Sequence, residues 1–446
     1  MEIIMSKEFI DLFSGAGGFS CGFEKAGFDA IAGLDWEEPM VKTFQKNHEN
    51  ADGIQYDLSK EVLDLNSDLI IGSPPCQGFS VAKGGERELD DERNSRVYDY
   101  VRWIEEIRPK VFVMENVAGI RSISDEFIEA VEDKFDELGY NIDSEVLNSA
   151  EFGVPQKRKR YFLLGVKKEI EDNPKLPRPT NETSDRIQTQ LNGEQKETLN
   201  TVGDALTGLP DVVEDLDQEI DVSYDDKTDN DYLKFVMDAE KTVNHVAKFP
   251  RDDEMSILNN IPEGKVYRSN RFGDQYLGAW IVHRDKLNEE ERKAIKFIGR
   301  HRTKRDFKIR DKTGPDYIPV DKIPVNKEVL DNLVENGWMR RKEDYHGIDY
   351  AYDINTKSGV RPKYKRLSRS GVSNTLTTAD FKPREKVHPT EDRGLSLREG
   401  ARIQSFPDSF RFEGSYKDVA TQLGNAVPPF LAYKIAKKID EEGWLE

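Results

Sequence analysis

Phe9-Ile-Asp-Leu-Phe-Ser-Gly-Ala-Gly-Gly-Phe-Ser20 is an apolar run that breaks into glycines and resumes as a helical pattern through Phe23 and Ala26. It reads as a strand over 9–13, a tight turn on Gly15, Gly17 and Gly18, and a helix whose free N–H groups face outward. The rhythm then repeats. Residues 30–34 predict a strand, and 37–47 a helix. Residues 68–71 and 110–114 predict two further buried strands. The helix over 98–107 stops before Pro109, as helices do ahead of a proline. Residues 125–138 have helical period, and 160–166 predict a late strand. Strands and helices alternating at this length predict an α/β fold with a doubly wound, mostly parallel sheet. Such sheets take ligands at the carboxyl ends of their strands.

Beyond about residue 170 the rhythm decays. Pro174, Pro177 and Pro179 make a linker-like stretch, and 181–365 is polar and weakly periodic. It predicts a separate domain inserted into the first. Helical pattern returns over 395–404, and a last helix is expected from Pro429 to about Glu441. The chain has 446 residues, enough for two domains, and carries a net charge of -19. That balance argues against a nucleic-acid partner until it is resolved locally. Residues 181–240 hold 17 acidic against 4 basic side chains, whereas 241–310 hold 17 basic against 10 acidic. Phosphate contact depends on the local face, so the basic section remains a candidate. Two cysteines exclude a disulfide framework, and six scattered histidines lack metal-ligand spacing. No apolar stretch reaches membrane-spanning length, mean hydropathy is -0.73, and no export signal is visible at the N-terminus; a cytoplasmic location is expected.

One of the two cysteines follows the strand at 68–71, in Ile71-Gly-Ser-Pro-Pro-Cys-Gln-Gly-Phe-Ser80. Two prolines stiffen the backbone there and present the Cys76 thiol as a covalent catalyst requires. Glu115-Asn116-Val117 ends another strand at the same sheet edge; a carboxyl withdrawn from water can act as an acid near neutrality. Arg158 and Arg160 stand two apart on a strand, so they are expected on one face. Asp35 ends the second strand and can accept ribose hydroxyls, Trp36 offers a stacking face, and Asp57 ends the third strand and can accept from an adenine amino group. Ser20 replaces the last glycine of a dinucleotide fingerprint, which weakens a nicotinamide reading. Cys21, on the helix, reads as packing. A thiolate, a proton donor and a guanidinium beside an adenosine site suggest thiolate addition to pyrimidine C6 and methylation at C5 by S-adenosylmethionine.

In the order and spacing of these motifs, and of Arg366-Leu-Ser-Arg-Ser-Gly-Val-Ser-Asn-Thr-Leu-Thr-Thr378 and Gln422-Leu-Gly-Asn-Ala-Val-Pro-Pro429, the chain resembles the DNA cytosine-5 methyltransferases of prokaryotic restriction-modification type. The resemblance covers residues 8–170 and 364–440. It implies an S-adenosylmethionine-dependent methyltransferase fold with a catalytic and cofactor-binding domain over 1–175, a smaller target recognition domain over 180–365, and a return over 366–446 that completes the cofactor pocket. By resemblance the catalytic residues are Cys76, Glu115, Arg158 and Arg160. The cofactor residues are Phe13, Gly15, Gly17, Asp35, Trp36, Asp57, Leu58, Pro75, Asn425 and Ala426. DNA contacts are expected from Gln77, Ser80, Lys83 and Arg93 in a lid over 79–95, and from Arg268, Arg271, Arg302 and Arg305. Implied too are conversion of S-adenosylmethionine to S-adenosylhomocysteine without a metal, and a monomer acting on flipped-out cytosine in specific duplex DNA of the nucleoid. A cognate restriction endonuclease or other defence component would share that DNA. Two positions depart from the family. Arg96 stands where an aliphatic residue usually meets the cofactor and is left outside the site. Arg369-Ser-Gly-Val replaces an aromatic, an acid and a proline. An RNA cytosine methyltransferase of the commoner kind would carry a second cysteine where Glu115 stands, and a non-catalytic DNA-binding module would lack Cys76 or Glu115.

Overall fold

Seven strands form one sheet: β1 (Glu8–Leu12), β2 (Asp29–Asp35), β3 (Asp52–Gln55), β4 (Leu69–Gly72), β5 (Val111–Val117), β6 (Tyr140–Asn148) and β8 (Lys159–Lys167), with the two-residue β7 (Gln156–Lys157) outside it. The order is β3-β2-β1-β4-β5-β8-β6. Every neighbouring pair is parallel except the two made by β8, which runs antiparallel to β5 and β6. The computed structural model describes residues 7–75, 95–122, 125–182, 197–224, 228–251, 255, 258–259, 261–265, 287–301, 317–336, 339–345, 347–354 and 364–446.

Both faces of the sheet are covered, which is why its inner strands are apolar runs rather than alternating patterns. Ile10 and Leu12 face one way, into a core with Phe112 and Met114 of β5, Trp103 and Ile104 of α3 (Ser95–Ile107), and Val131 and Phe135 of α4 (Asp125–Glu137). Phe9 faces the other way, its ring 5.5 Å from Phe23 of α1 (Gly18–Lys25). On that side α1 packs against the helix Pro429–Glu442. The expected doubly wound sheet is present, with one strand not foreseen. β6 reads Tyr-Asn-Ile-Asp-Ser-Glu-Val-Leu-Asn; it pairs with β8 alone and is only partly buried, so selection for an apolar run is weak there.

The chain divides into two compact units: Met1–Ala247 with Ser368–Phe381 and Ser396–Glu446, and Lys248–Leu367 with Lys382–Leu395. The expected boundary near 180 therefore moves to 247. The acidic stretch belongs to the first unit because its few apolar residues are buried there. Tyr232 and Val236, on the short helix Asp231–Val236, are fully buried, and Phe235 lies 5.0 Å from Phe430. Two buried arginines of the helix Leu397–Ile403 hold the stretch further. Arg402 pairs with Asp408 at 2.7 Å, both at 0% exposure, and donates to the carbonyls of Ala205 and Thr207. Arg398 donates to the carbonyl of Val243. The expected return from 366 onward is also interrupted, since 382–395 lies in the second unit.

Within the second unit, the strands Ile318–Pro319, Ile348–Ile354 and Met339–Tyr345 form an antiparallel sheet with the long strand Ile348–Ile354 in the middle. The helices Glu289–His301 and Lys327–Glu335 supply Ile295, Ile298, Leu330 and Leu333 to its core. Arg340 and Arg341, at the start of a strand, are held by Asp353 and by Asp331 and Glu343.

Candidate active site

β1 ends at Leu12, and Phe13 then enters the left-handed region with φ 57°. A bulky residue there costs about 1–3 kcal/mol, and such strain concentrates at functional sites. The loop that follows is tied to the end of β2. Asp35, 9% exposed, accepts from the Gly15 N–H at 3.0 Å through Oδ2 and from the Glu37 N–H at 2.9 Å through Oδ1. Burial lifts its carboxyl above the ordinary range, and those two N–H bonds oppose the shift. Each oxygen retains a lone pair for a hydroxyl. Trp36, beside it, is 58% exposed, unusual for so large an apolar face. Beyond β3, Asp57 Oδ1 accepts from the Ser59 N–H and hydroxyl and from Arg96 at 3.0 Å.

These residues line one cavity of about 650 Å³, within the range of ordinary cofactor sites. Its wall follows the strand order along the sheet edge: Asp57 and Leu58 beyond β3, Asp35 and Trp36 at β2, Phe13 and Gly15 at β1, Pro74 and Pro75 at β4, Glu115 at β5 and Arg160 on β8. Of the residues expected at a cofactor, Gly17 alone is absent from the lining. Its φ of 86° and the His48 ring, whose Nε2 would sit 2.3 Å from a Cβ, explain the glycine instead. Arg96 was left outside the expected site, yet it lines the cavity together with Glu37 and Met40.

Glu115 is 6% exposed and lies 2.9 Å from Arg160 Nε through Oε1. Burial pushes its carboxyl upward; Arg160, Arg158 and a hydrogen bond from Ser73 pull it back. Arg160 thus stands beside the candidate acid. Arg158 is not at the cavity. The chain turns just before it, with the Arg158 N–H bonded to the Gln156 carbonyl, and its guanidinium still lies near enough to lower the Glu115 carboxyl. Arg158 is fully buried and donates to the carbonyls of Leu376 at 3.0 Å and Gly424 at 2.9 Å. It fastens the returning chain to the sheet. Asn116, which sequence reasoning did not single out, donates to the Pro74 carbonyl at 2.9 Å and so anchors the proline turn to β5.

The last wall comes from far along the chain. Gln422, Asn425, Ala426 and Val427 line the cavity. Asn425 ends the helix Tyr416–Asn425. The Val427 carbonyl passes so close to Gly18 that a Cβ would lie 2.7 Å from it, which only glycine admits. Gln422 accepts from the Thr43 hydroxyl at 2.9 Å, tying this helix to α2 (Glu38–Asn47).

Cys76, Gln77, Ser80, Lys83, Arg93, Arg268, Arg271, Arg302, Arg305 and the expected lid lie outside the described residues. Cys21 is buried, and burial pushes its thiol far up, which suits packing. Among the described residues no three His, Cys, Asp or Glu side chains gather as a metal site, and no helix is long and apolar enough to cross a membrane.

Residues 7–441 match the family of C-5 cytosine-specific DNA methylases. The chain is 32% identical over 460 residues to the Type II methyltransferase M.AgeI of Thalassovita gelatinovora, covering 96% of this chain and 98% of that protein. It is 30% identical over 450 residues to M.XorII of Xanthomonas oryzae pv. oryzae, covering 96% and 84%. A crystallised E. coli protein described as a prophage-encoded DNA modification methyltransferase shares the fold, with TM-score 0.62, 22% identity, and 98% and 99% of the two chains covered. The sheet with its one reversed strand, the edge cavity and the family match across nearly the whole sequence agree: the chain belongs to the C-5 cytosine-specific DNA methylases and is a DNA cytosine-5 methyltransferase.

Proposed function

We propose that this enzyme methylates a flipped-out cytosine within a specific duplex DNA sequence through a covalent adduct of Cys76 with C6, using S-adenosylmethionine. The observation that carries this reading is the buried Glu115–Arg160 pair, 2.9 Å apart, in the same cavity as Asp35, Trp36 and Asp57. A nucleoside fits that wall chemically: an exposed indole for the base, a carboxylate for its amino group, and spare lone pairs on Asp35 for hydroxyls. Phe13, Gly15, Leu58, Pro75, Asn425 and Ala426 would complete the enclosure. S-adenosylmethionine supplies a methyl group made electrophilic by its sulfonium and leaves as S-adenosylhomocysteine.

Cys76 acts as thiolate and forms a bond to C6 of the cytosine. Glu115, whose carboxyl burial pushes upward, hydrogen-bonds or protonates N3, and Arg160 holds O2 while fixing the Glu115 carboxyl. The ring becomes an enamine, and its C5 accepts the methyl group. Loss of the C5 proton to a base then returns electrons to the ring and expels the thiolate. Flipping brings the base out of the stack to this edge. The second unit serves as the target recognition domain. Gln77, Ser80, Lys83, Arg93, Arg268, Arg271, Arg302 and Arg305 contact the DNA. The chain acts as a monomer in the cytoplasm, beside an endonuclease of the same specificity.

The test incubates tritiated cofactor with duplex DNA and analyses the bases. Label at cytosine C5 is expected from the natural protein, and Cys76→Ala should remove it. Full turnover by Cys76→Ala would falsify the adduct.

A further inference from the structure

We infer that His48 is a positioning residue of the cofactor site: its imidazole, steered by Glu24, braces the glycine turn from behind and so fixes the wall that the cofactor meets. The inference rests on the assignment of the cavity to an adenosine cofactor. Ala16, Gly18 and Phe19 line that cavity, while Gly17 between them does not. The side on which Gly17 would carry a Cβ faces His48, the residue that caps the C-terminus of α2. A Cβ there would lie 2.3 Å from Nε2, 2.9 Å from Cδ2 and 3.0 Å from the Phe44 ring. Gly17 also caps the N-terminus of α1; its carbonyl accepts from the Cys21 N–H at 2.9 Å, and its N–H donates to the Ser14 carbonyl at 3.0 Å. Where Gly17 stands therefore sets both the turn and the start of α1.

The imidazole is itself fixed. Its side chain is 1% exposed. The Phe44 ring lies 4.4 Å away between centroids and is pressed in turn against Gly33, where a Cβ would come 2.2 Å from its Cζ. Nδ1 stands 2.7 Å from Glu24 Oε2. Nε2 is buried with no hydrogen-bond partner among the described residues. A neutral imidazole carries one N–H, and a carboxylate only accepts. Glu24 thus keeps the hydrogen on Nδ1 and leaves Nε2 bare. A bare nitrogen can rest against Gly17, whereas an N–H buried at that contact would lack an acceptor and carry its full desolvation penalty. Glu24 belongs to α1, so the helix is tied to His48 near its end and touches it at its start. The ring also borders a second cavity of about 620 Å³, whose wall includes the exposed Lys25, Lys46 and Glu49 and so reaches solvent.

That opening lets the ring be removed and replaced. S-adenosylhomocysteine is titrated calorimetrically, without DNA, into the natural protein, His48→Gly and Glu24→Leu, each with and without imidazole in the buffer. His48→Gly should bind about 10-fold more weakly, the worth of about one hydrogen bond from a turn no longer held in place. Imidazole should restore most of that loss in His48→Gly and change nothing in the natural protein. Glu24→Leu, altered at a partly exposed side chain, should bind about 3-fold more weakly, with no response to imidazole. Natural affinity in His48→Gly overturns the inference while leaving the cavity assignment standing. A loss that imidazole does not relieve assigns His48 to packing and overturns it equally. Should His48→Gly fail to fold, Glu24→Leu decides, and natural affinity there overturns the inference. No binding of S-adenosylhomocysteine by the natural protein overturns the cavity assignment and the inference with it.

Discussion

Two buried carboxyl groups stand out at the residue scale, one in the cavity wall and one in the core. Glu115 is partnered by Arg160, so Glu115→Gln keeps the shape and removes the transferable proton. Single-turnover methylation should fall about 10²–10⁴-fold, while DNA retention in a filter assay stays near the natural level. The natural activity should also decline on the alkaline side, because the raised carboxyl must hold its proton to serve N3. Asp11 is fully buried, accepts from the Ser20 hydroxyl at 2.6 Å, and is pushed up to about 7 chiefly by burial. The folded protein therefore binds a proton that the unfolded chain releases near pH 4. Its contribution is complete below about pH 4 and is lost as pH rises through about 7. The loss is about 1.4 kcal/mol per pH unit in that window. Asp11→Asn should gain stability relative to the natural protein between pH 5 and 8, read from urea midpoints; a difference independent of pH would exclude this account. Glu115 was legible because it follows an apolar strand in a known motif. Asp11 was not, since one acid inside such a strand carries no sign of whether water reaches it.

Elements explain where sequence reading succeeded and where it slipped. β1, β4 and β5 are covered on both faces, so each appears as a mainly apolar run, broken in β1 by Asp11 and at the end of β5 by Glu115 and Asn116. β6 lies at the sheet edge and is half polar, and it passed unseen. Arg158 and Arg160 were both expected at the active site, but Arg158 is spent on the carbonyls of Leu376 and Gly424, partners far along the chain that residue spacing does not reveal. The tie between β5 and the proline turn depends on Asn116 alone among the side chains bonded to the Pro74 carbonyl in the described residues. Asn116→Ala should cost stability only about 1 kcal/mol, the net worth of one hydrogen bond. Its methylation rate should fall more than that loss implies, because misplacing a reacting group by about 1 Å can cost 10²-fold. Comparing the rate with the unfolding midpoint checks the point; a rate that merely tracks stability would count against it.

For the whole molecule, the expected break near 180 rested on the decayed rhythm after 170, on Pro174, Pro177 and Pro179, and on a polar stretch beyond 181. None of these says which unit receives the buried Tyr232, Phe235 and Val236. The Arg402–Asp408 pair under that stretch offers a measurement. Asp408→Ala strands a buried guanidinium and should cost about 3–5 kcal/mol, whereas the double change Arg402→Met with Asp408→Leu should recover most of it. Chemical unfolding of the three proteins distinguishes the cases; equal losses would mean that the pair is not the fastening. The closure of the cavity by Val427 against Gly18 has a consequence in time as well as in space. A ribosome making about 5–20 residues per second exposes the glycine loop and the proline turn some 20–80 s before it delivers the final wall. Throughout that interval the nascent chain has a partly formed sheet edge but no enclosed cavity. An enclosed cavity therefore exists only at the end of synthesis, and translation products interrupted before Gln422 lack its final wall.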